Sequence, residues 1–563
     1  MGVREGISNR ARWAYTQDPG TEYPALRQML AEQWTREWGV PVSPDSLFIW
    51  PRWEQLVENL LRVQVREGTH VVWVGGDAKE IRRLKGRLPE HRHKTVSPSF
   101  AELQERLDQR KIQGAVIQLP RHHWFNPEPL LHWLQQSVDR EIPVILVEPF
   151  GVREGSEPNP VLERMSMEPA WRRHITIVQP LARRYGVDSA GVPLSLAMVG
   201  DAALYRHLAR LGEITYSRAS TPAQELYHHM LLGLQVDPIL VEQRLLTQGT
   251  PMEPLREMMP PGPPLAQMLD TNLAFFSSPR GVSRSNPVID LSFGESEWQA
   301  PVDLSPAWRR VRIGMSPKEI GERARASIVE YLRESRGISV TPEQIVLGQG
   351  VHPLLAATLT SYRDRSAGPV DVWVPQGSYG LFYPTVEAAG VRLRVLETEA
   401  KNDFKVSVDN LGRALQRMGT APRPRPLVLL NTPSNPAGRY YSSEELLAIA
   451  GFLKGHRGVL LLDDVFGLLD TQNIPNPGSS YVEPLWREAR KQLVVFGGLS
   501  KEFGAGGLRM GWAVASTKSQ AESIAKFTPA PDALAASATP EFLSRWKSLI
   551  PQHQNYLAGN RRL

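Results

Sequence analysis

Four short stretches of the C-terminal half carry residues able to do chemistry, in a fixed order. They are N-T-P-S-N-P-A-G at 431–438, L-L-L-D-D-V-F at 460–466, G-G-L-S-K-E-F-G at 497–504 and G-L-R-M-G-W at 507–512. A lysine amine can add to a carbonyl and afterwards move a proton. Lys501 follows an apolar run and a small residue, so it projects from the C-terminal end of a strand, where α/β proteins hold ligands. Asp463 closes the apolar run GVLLLD, as a strand-terminal cap or as a working carboxylate. Arg509 lies eight residues beyond the lysine, and a guanidinium grips a phosphate with two parallel hydrogen bonds. Upstream, G-Q-G-V-H-P-L-L at 348–355 reads as a strand-to-helix turn of the kind whose backbone N–H groups bind anions. Taken alone, Asn435 is an Asn-Pro turn residue and Tyr379, in P-Q-G-S-Y, a core aromatic.

The elements that must position these groups alternate between short apolar strands and helical lengths. In the first half the strands are THVVWV at 69–74, GAVIQL at 114–119, IPVILVE at 142–148 and HITIVQ at 174–179. In the second they are DVWV at 371–374, RPLVLLN at 425–431, GVLLLDD at 458–464, QLVVFGG at 492–498 and GWAVAS at 511–516. Strands spaced by helices predict βαβ units, and hence an α/β chain with mostly parallel sheets flanked by helices. Between the halves, TPMEPLREMMPPGPPLAQM at 250–268 has linker composition. The expected organisation is a first domain over 1–235, a Pro-rich linker over 236–288 and a second domain over 289–563.

The two halves read as repeats of one plan. V-W-V-G-G-D-A-K ending at Lys79 parallels V-W-V-P-Q-G-S-Y ending at Tyr379. V-I-L-V-E-P-F-G parallels L-L-L-D-D-V-F-G, and P-L-A-R-R-Y-G parallels G-L-S-K-E-F-G. Numbering offsets of 300, 316 and 318 rise in order along the chain.

Composition narrows the setting. The 563 residues exceed one compact core. A net charge of +6 spread along the chain, with no long Lys/Arg run, could favour anionic ligands but argues poorly for nucleic acid. The absence of cysteine excludes disulfides, thiolate nucleophiles and cysteine metal sites. His122 and His123 lack a third ligand and read as loop residues, so no metal is expected. Without a membrane-length apolar run or the apolar core of a signal peptide, the expectation is a cytoplasmic protein.

The ordered motif set over 289–563 resembles the class I/II aminotransferases, pyridoxal-phosphate enzymes of fold type I. The resemblance implies amino-group transfer between an amino acid and a 2-oxo acid, with Lys501 joined to the cofactor through an imine. Asp463, rather than Asp464, would face the pyridine nitrogen, and Asn435 the ring hydroxyl oxygen. Tyr379 would stack on the ring. Ser500, Arg509 and the turn Gly350–Val351–His352 would hold the phosphate. Three departures accompany it: Phe466 stands where many relatives have a tyrosine, and Gly498 where they usually have a phosphate-binding serine. The third is that Leu563 ends the sequence where relatives continue into a small domain.

At positions matching Lys501, Asp463 and Arg509 the first half has Arg183, Val147 and Pro193. Arginine is too basic to form the imine and valine cannot protonate a ring nitrogen, so this copy is expected to be catalytically dead. Family dimers lend a tyrosine to the neighbouring site. Tyr15 in Y-T-Q-D-P-G-T-E-Y-P-A-L-R matches it, whereas the second half has Met315 there. The alternative for Tyr15 is a surface aromatic near a turn. The resemblance thus implies an intrachain pseudo-dimer or a homo-oligomer. Decarboxylation or another reaction at the α-carbon stays open, as does a cofactor-binding regulator or scaffold without turnover. Residues 1–13 are too short for the DNA-binding module that such regulators carry.

Overall fold

Parallel strands covered by helices on both faces must be apolar along their whole length, and the central strands here are. In a computed structural model of the chain, most of residues 24–231 and 298–560 are described. The breaks fall at 89–90, 97–99, 109–111, 119–127, 148–159, 185–191, 216–218, at positions between 221 and 230, and at 299, 313–314, 367, 418–424 and 470–480. Tyr15, His122, His123 and the linker 236–288 lie outside the described residues.

The first half forms strands β1 Leu47–Trp50, β2 His70–Gly75, β3 Arg92–Val96, β4 Gly114–Gln118, β5 Val144–Val147, β6 Ile175–Pro180 and β7 Ser195–Met198. The second forms β8 Ile345–Gly348, β9 Val370–Pro375, β10 Arg392–Leu396, β11 Arg425–Asn431, β12 Val459–Asp463, β13 Leu493–Gly498 and β14 Gly511–Val514. Each set makes one seven-stranded sheet, ordered β3-β2-β4-β5-β6-β7-β1 and β10-β9-β11-β12-β13-β14-β8. Numbered within each half, the order is identical. In both, the last strand runs antiparallel to its two neighbours and the remaining pairs are parallel.

All nine strands read from hydropathy are present, displaced by a residue or two at their ends. The other five have weaker signals for physical reasons. β3 and β10 are edge strands, with alternating charged residues in RHKTV and RLRVL. β1 and β8 are four-residue strands at the opposite sheet edges, and β7 (SLAM) is four residues beginning with a serine.

The correspondence extends to helix ends and ladder positions. Helix Pro24–Trp38 stops at Gly39 and helix Pro317–Arg336 at Gly337, both glycines with left-handed φ (65° and 69°). A 3-10 turn follows in each, Pro44–Ser46 and Pro342–Gln344, and then the first strand of the sheet. Val147 is opposite Val178 in the β5–β6 ladder as Asp463 is opposite Phe496 between β12 and β13. Pro180 is opposite Ser195 as Gly498 is opposite Gly511.

The halves also touch. Helix Ala202–Thr215 packs against helices Val351–Asp364 and Phe382–Ala388. Ser220 donates its hydroxyl hydrogen to Asp532, and both groups are buried. Each is also an N-cap: Ser220 Oγ accepts the Ala223 N–H (3.2 Å) and Asp532 Oδ1 the Ala535 N–H (2.9 Å). One apolar cluster runs through both halves.

Candidate active site

The C-terminal ends of β11, β12 and β13 bring the polar motifs to one edge. Asn431 is opposite Asp463 at the last rung of the β11–β12 ladder, and the Thr432 N–H donates to the Asp463 carbonyl (3.2 Å). The loop carrying Asn435 leaves from this rung, and the Thr432–Pro433 and Asn435–Pro436 bonds are cis. β13 ends at Gly498, and Ser500 and Lys501, both half-buried, follow in the turn.

Asp463 is 8% exposed and accepts the Val465 N–H (3.3 Å). Burial pushes its carboxyl up to about 7, Asp464 adds to the rise, and Lys501 pulls against it. The lysine charge is thus within electrostatic range, but it does not offset the loss of water. A strand-end acid near neutrality would be held ionised by a cation placed against it.

The anion-binding end of the site is built by close backbone approach. Gly350 precedes helix Val351–Asp364 with φ 98°, a conformation that disfavours any side chain. A Cβ there would lie 3.1 Å from Arg509 Nη2, so the guanidinium rests against the helix entrance. Arg509 is buried, has left-handed backbone, and donates from Nη1 to the Gly506 carbonyl (3.2 Å). A Cβ on Gly511 would lie 2.8 Å from the Gly350 carbonyl carbon, so β14 and the helix entrance are in backbone contact.

This crowding also accounts for Gly498. A side chain there would start 3.0 Å from the Met510 carbonyl oxygen and 3.8 Å from Val351 Cγ2. His352 meets Tyr379 edge to face, with ring centroids 5.3 Å apart. Burial, helped by the charges of Arg509 and Lys501, pushes the His352 imidazole down to about 3, so it is neutral at ordinary pH. Tyr379 is half-buried and also packs edge to face on Phe382, at 5.6 Å.

Lys501, Asp463, Arg509, Gly350, Val351, His352, Tyr379, Ser500 and Asn435 therefore lie at or just beyond the ends of β8, β9, β11, β12, β13 and β14. Tyr15, the remaining expected site residue, lies outside the described residues.

Sequence reading missed a buried network alongside this edge. Arg336 Nε donates to Asp464 Oδ2 (2.6 Å) and its Nη2 to Glu502 Oε1 (2.5 Å). Tyr331 donates to Glu502 Oε2 (2.6 Å), and Tyr481 contacts Asp464 and donates to the Thr432 carbonyl (2.9 Å). The available signal was the doubled acid at 463–464 and the Lys-Glu pair at 501–502. Their partner Arg336 is remote in sequence.

Residues 313–561 match the family model described as Aminotransferase class I and II. The chain is 28% identical over 243 residues to an asparagine–oxo-acid transaminase of Streptococcus mutans, covering 41% of this chain and 57% of that protein. It is 27% identical over 266 residues to an aspartate/prephenate aminotransferase of Thermus thermophilus, covering 46% and 64%. An aspartate aminotransferase of Bacillus subtilis is 27% identical over 239 residues, covering 41% and 56%. The chain thus spans about three fifths of the length of these curated relatives. Among solved structures, an aromatic aminotransferase from Pyrococcus horikoshii OT3 aligns with TM-score 0.43 and 22% identity, over 50% of this chain and 74% of that one. No described helix is long and apolar enough to cross a membrane.

Proposed function

We propose that the chain binds pyridoxal phosphate through Lys501 and transfers an amino group between an amino acid and a 2-oxo acid. The observation that carries this reading is Asp463, a buried acid at a strand end with its carboxyl pushed up to about 7, within electrostatic range of Lys501. The donor set fits the cofactor. A ring-nitrogen proton would supply the cation that Asp463 lacks, and Arg509 against the Gly350 turn offers a guanidinium and helix N–H groups to a phosphate.

When bound, the cofactor supplies an electron sink for the α-carbon of an amino acid. Asp463 holds a proton at the ring nitrogen. Lys501 would anchor the ring through its amine and would hold and deliver the proton at the substrate α-carbon. Tyr379 supplies a face for the ring and Asn435 a donor for its hydroxyl oxygen. Phe466 has no hydroxyl to share that oxygen. Ser500, Arg509 and the Gly350, Val351 and His352 backbone hold the phosphate.

The first half fits a degenerate copy of the same domain, paired with the second as one subunit of a dimer pairs with another. The shared strand order, the matching ladder positions and the two caps meeting at Ser220 and Asp532 support this. Tyr15 is then the group the first half lends to the phosphate.

The test is borohydride reduction of the cofactor-loaded chain, peptide mapping, and assay of amino donors. An adduct on Lys501 with conversion of a donor is expected. An adduct elsewhere overturns the assignment, and an adduct without conversion of any donor favours a cofactor-binding regulator or scaffold.

A further inference from the structure

We propose that Arg336, with Asp464 and Glu502, is the positioning device of this site, a single guanidinium that sets where Asp463 and Lys501 stand. The inference rests on the reading of those two residues given above. Asp464 and Glu502 are the next residues in the chain after Asp463 and Lys501, and Arg336 bonds both, at 2.6 Å and 2.5 Å. Asp463 closes β12, and Lys501 and Glu502 lie in the turn after β13. Arg336 therefore ties these two segments together through the residue that follows each of Asp463 and Lys501.

The hold extends to the third segment and to the backbone. Tyr481 joins Asp464 to the Thr432 carbonyl, at the start of the loop carrying Asn435. Glu502 Oε1 also accepts the Leu468 N–H (2.8 Å), and the Glu502 carbonyl accepts from His553 Nδ1 (2.9 Å). His553 is stacked on Trp298 at 4.3 Å. A Cβ on Gly467 would lie 2.8 Å from the Tyr481 hydroxyl and crowd Asp464, so a side chain there would displace the network.

Such a network is a poor choice if stability alone is wanted. One guanidinium and two carboxylates are 4%, 5% and 2% exposed at their side chains, and well-packed apolar groups of similar volume commonly do as well. The chain carries its own comparison. Helix Pro24–Trp38 ends before Gly39 as helix Pro317–Arg336 ends before Gly337, so Trp38, buried, takes the place of Arg336. By the same register Glu148 follows Val147 and Arg184 follows Arg183, where the second half has Asp464 and Glu502. The half without the lysine and the acid has a tryptophan where the other half has the clamping arginine. The half that has them keeps the arginine, and misplacing a reacting group by about 1 Å can cost about a hundredfold.

The experiment compares the full chain with Arg336→Met and with the neutral triple Arg336→Met/Asp464→Asn/Glu502→Gln. Three quantities are read: melting temperature without cofactor, affinity for pyridoxal phosphate, and the pH midpoint of the absorbance of the lysine-bound cofactor. The triple variant is expected to regain most of the melting temperature lost in Arg336→Met. It should still bind the cofactor about tenfold more weakly, with a pH midpoint moved by about one unit. A triple variant with parental affinity and midpoint overturns the proposal and leaves the network a stability element. If the triple variant does not fold, Glu502→Gln alone decides. A shifted midpoint supports positioning, and an unchanged midpoint and affinity overturn it. A parent chain with no adduct on Lys501 fails the site reading itself, and the proposal falls with it. An adduct in the parent with unaffected variants fails the proposal alone.

Discussion

The ends of β5 and β12 show how little of this site belongs to the sheet. Both strands are central, parallel and buried, and their last residues occupy the same rung, Val147 in one and Asp463 in the other. Three residues past the next strand stand Arg183 and Lys501. Two residues before the last strand stand Pro193 and Arg509. At the first helix entrance Arg52 takes the place of Gly350. The strand order is shared while the residues at these four positions differ. Sheet topology is enforced by burial along whole strands, whereas the groups at strand ends are individually replaceable.

The largest effect is expected in the number of cofactors bound per chain. One adduct per chain is expected, on Lys501, and none should remain in Lys501→Ala. Peptide mapping of an adduct in the first half would end the idea that its site is dead.

Asp463→Asn should move the second half toward the first. Cofactor binding should stay within a few-fold, while α-proton exchange slows by about a hundredfold or more. Deuterium exchange at the α-carbon measures this, and equal rates would shift the role to Asp464.

The same variant has a pH signature without cofactor. An acid raised from 3.8 to about 7 on folding binds more protons folded than unfolded across that interval. Its contribution is full at low pH and is lost as pH rises through about 7. Asp463→Asn should therefore gain stability relative to the parent between pH 4 and pH 8, on the order of a few kcal/mol. Parallel melting curves across that range would contradict this.

Tyr15→Phe tests the lent group. A phenol–phosphate hydrogen bond is worth roughly 1.5–3 kcal/mol, so cofactor affinity should fall about tenfold or more. Unchanged affinity would make Tyr15 a surface residue.

The smallest effect is expected at the junction. Ser220→Ala removes the bond to Asp532 and one cap, for a loss of about 1 kcal/mol. Chemical denaturation should show it as a lower midpoint for both halves together, and a loss confined to the first half would argue against pairing.

Lys501, Asp463, Asn435 and Arg509 were legible because each sits in a short motif beside an apolar strand, a local pattern that hydropathy and turn chemistry make visible. The offsets between halves were legible for the same reason. Arg336 was not, because a buried arginine at a helix end looks in sequence like one in solvent. Its partners at 464 and 502 are separated from it by 128 and 166 residues. The meeting of Ser220 and Asp532 was equally hidden, since each reads locally as an ordinary cap. The strands, their alternation with helices and the strand ends that carry reactive groups are readable along the chain, because they depend on nearest neighbours in sequence. Folding alone separates buried Asp463 from the arginine-bound Asp464 and sets how close Arg509 lies to Gly350. Those outcomes depend on burial and on approach between remote segments, where desolvation and contact distance set the energy.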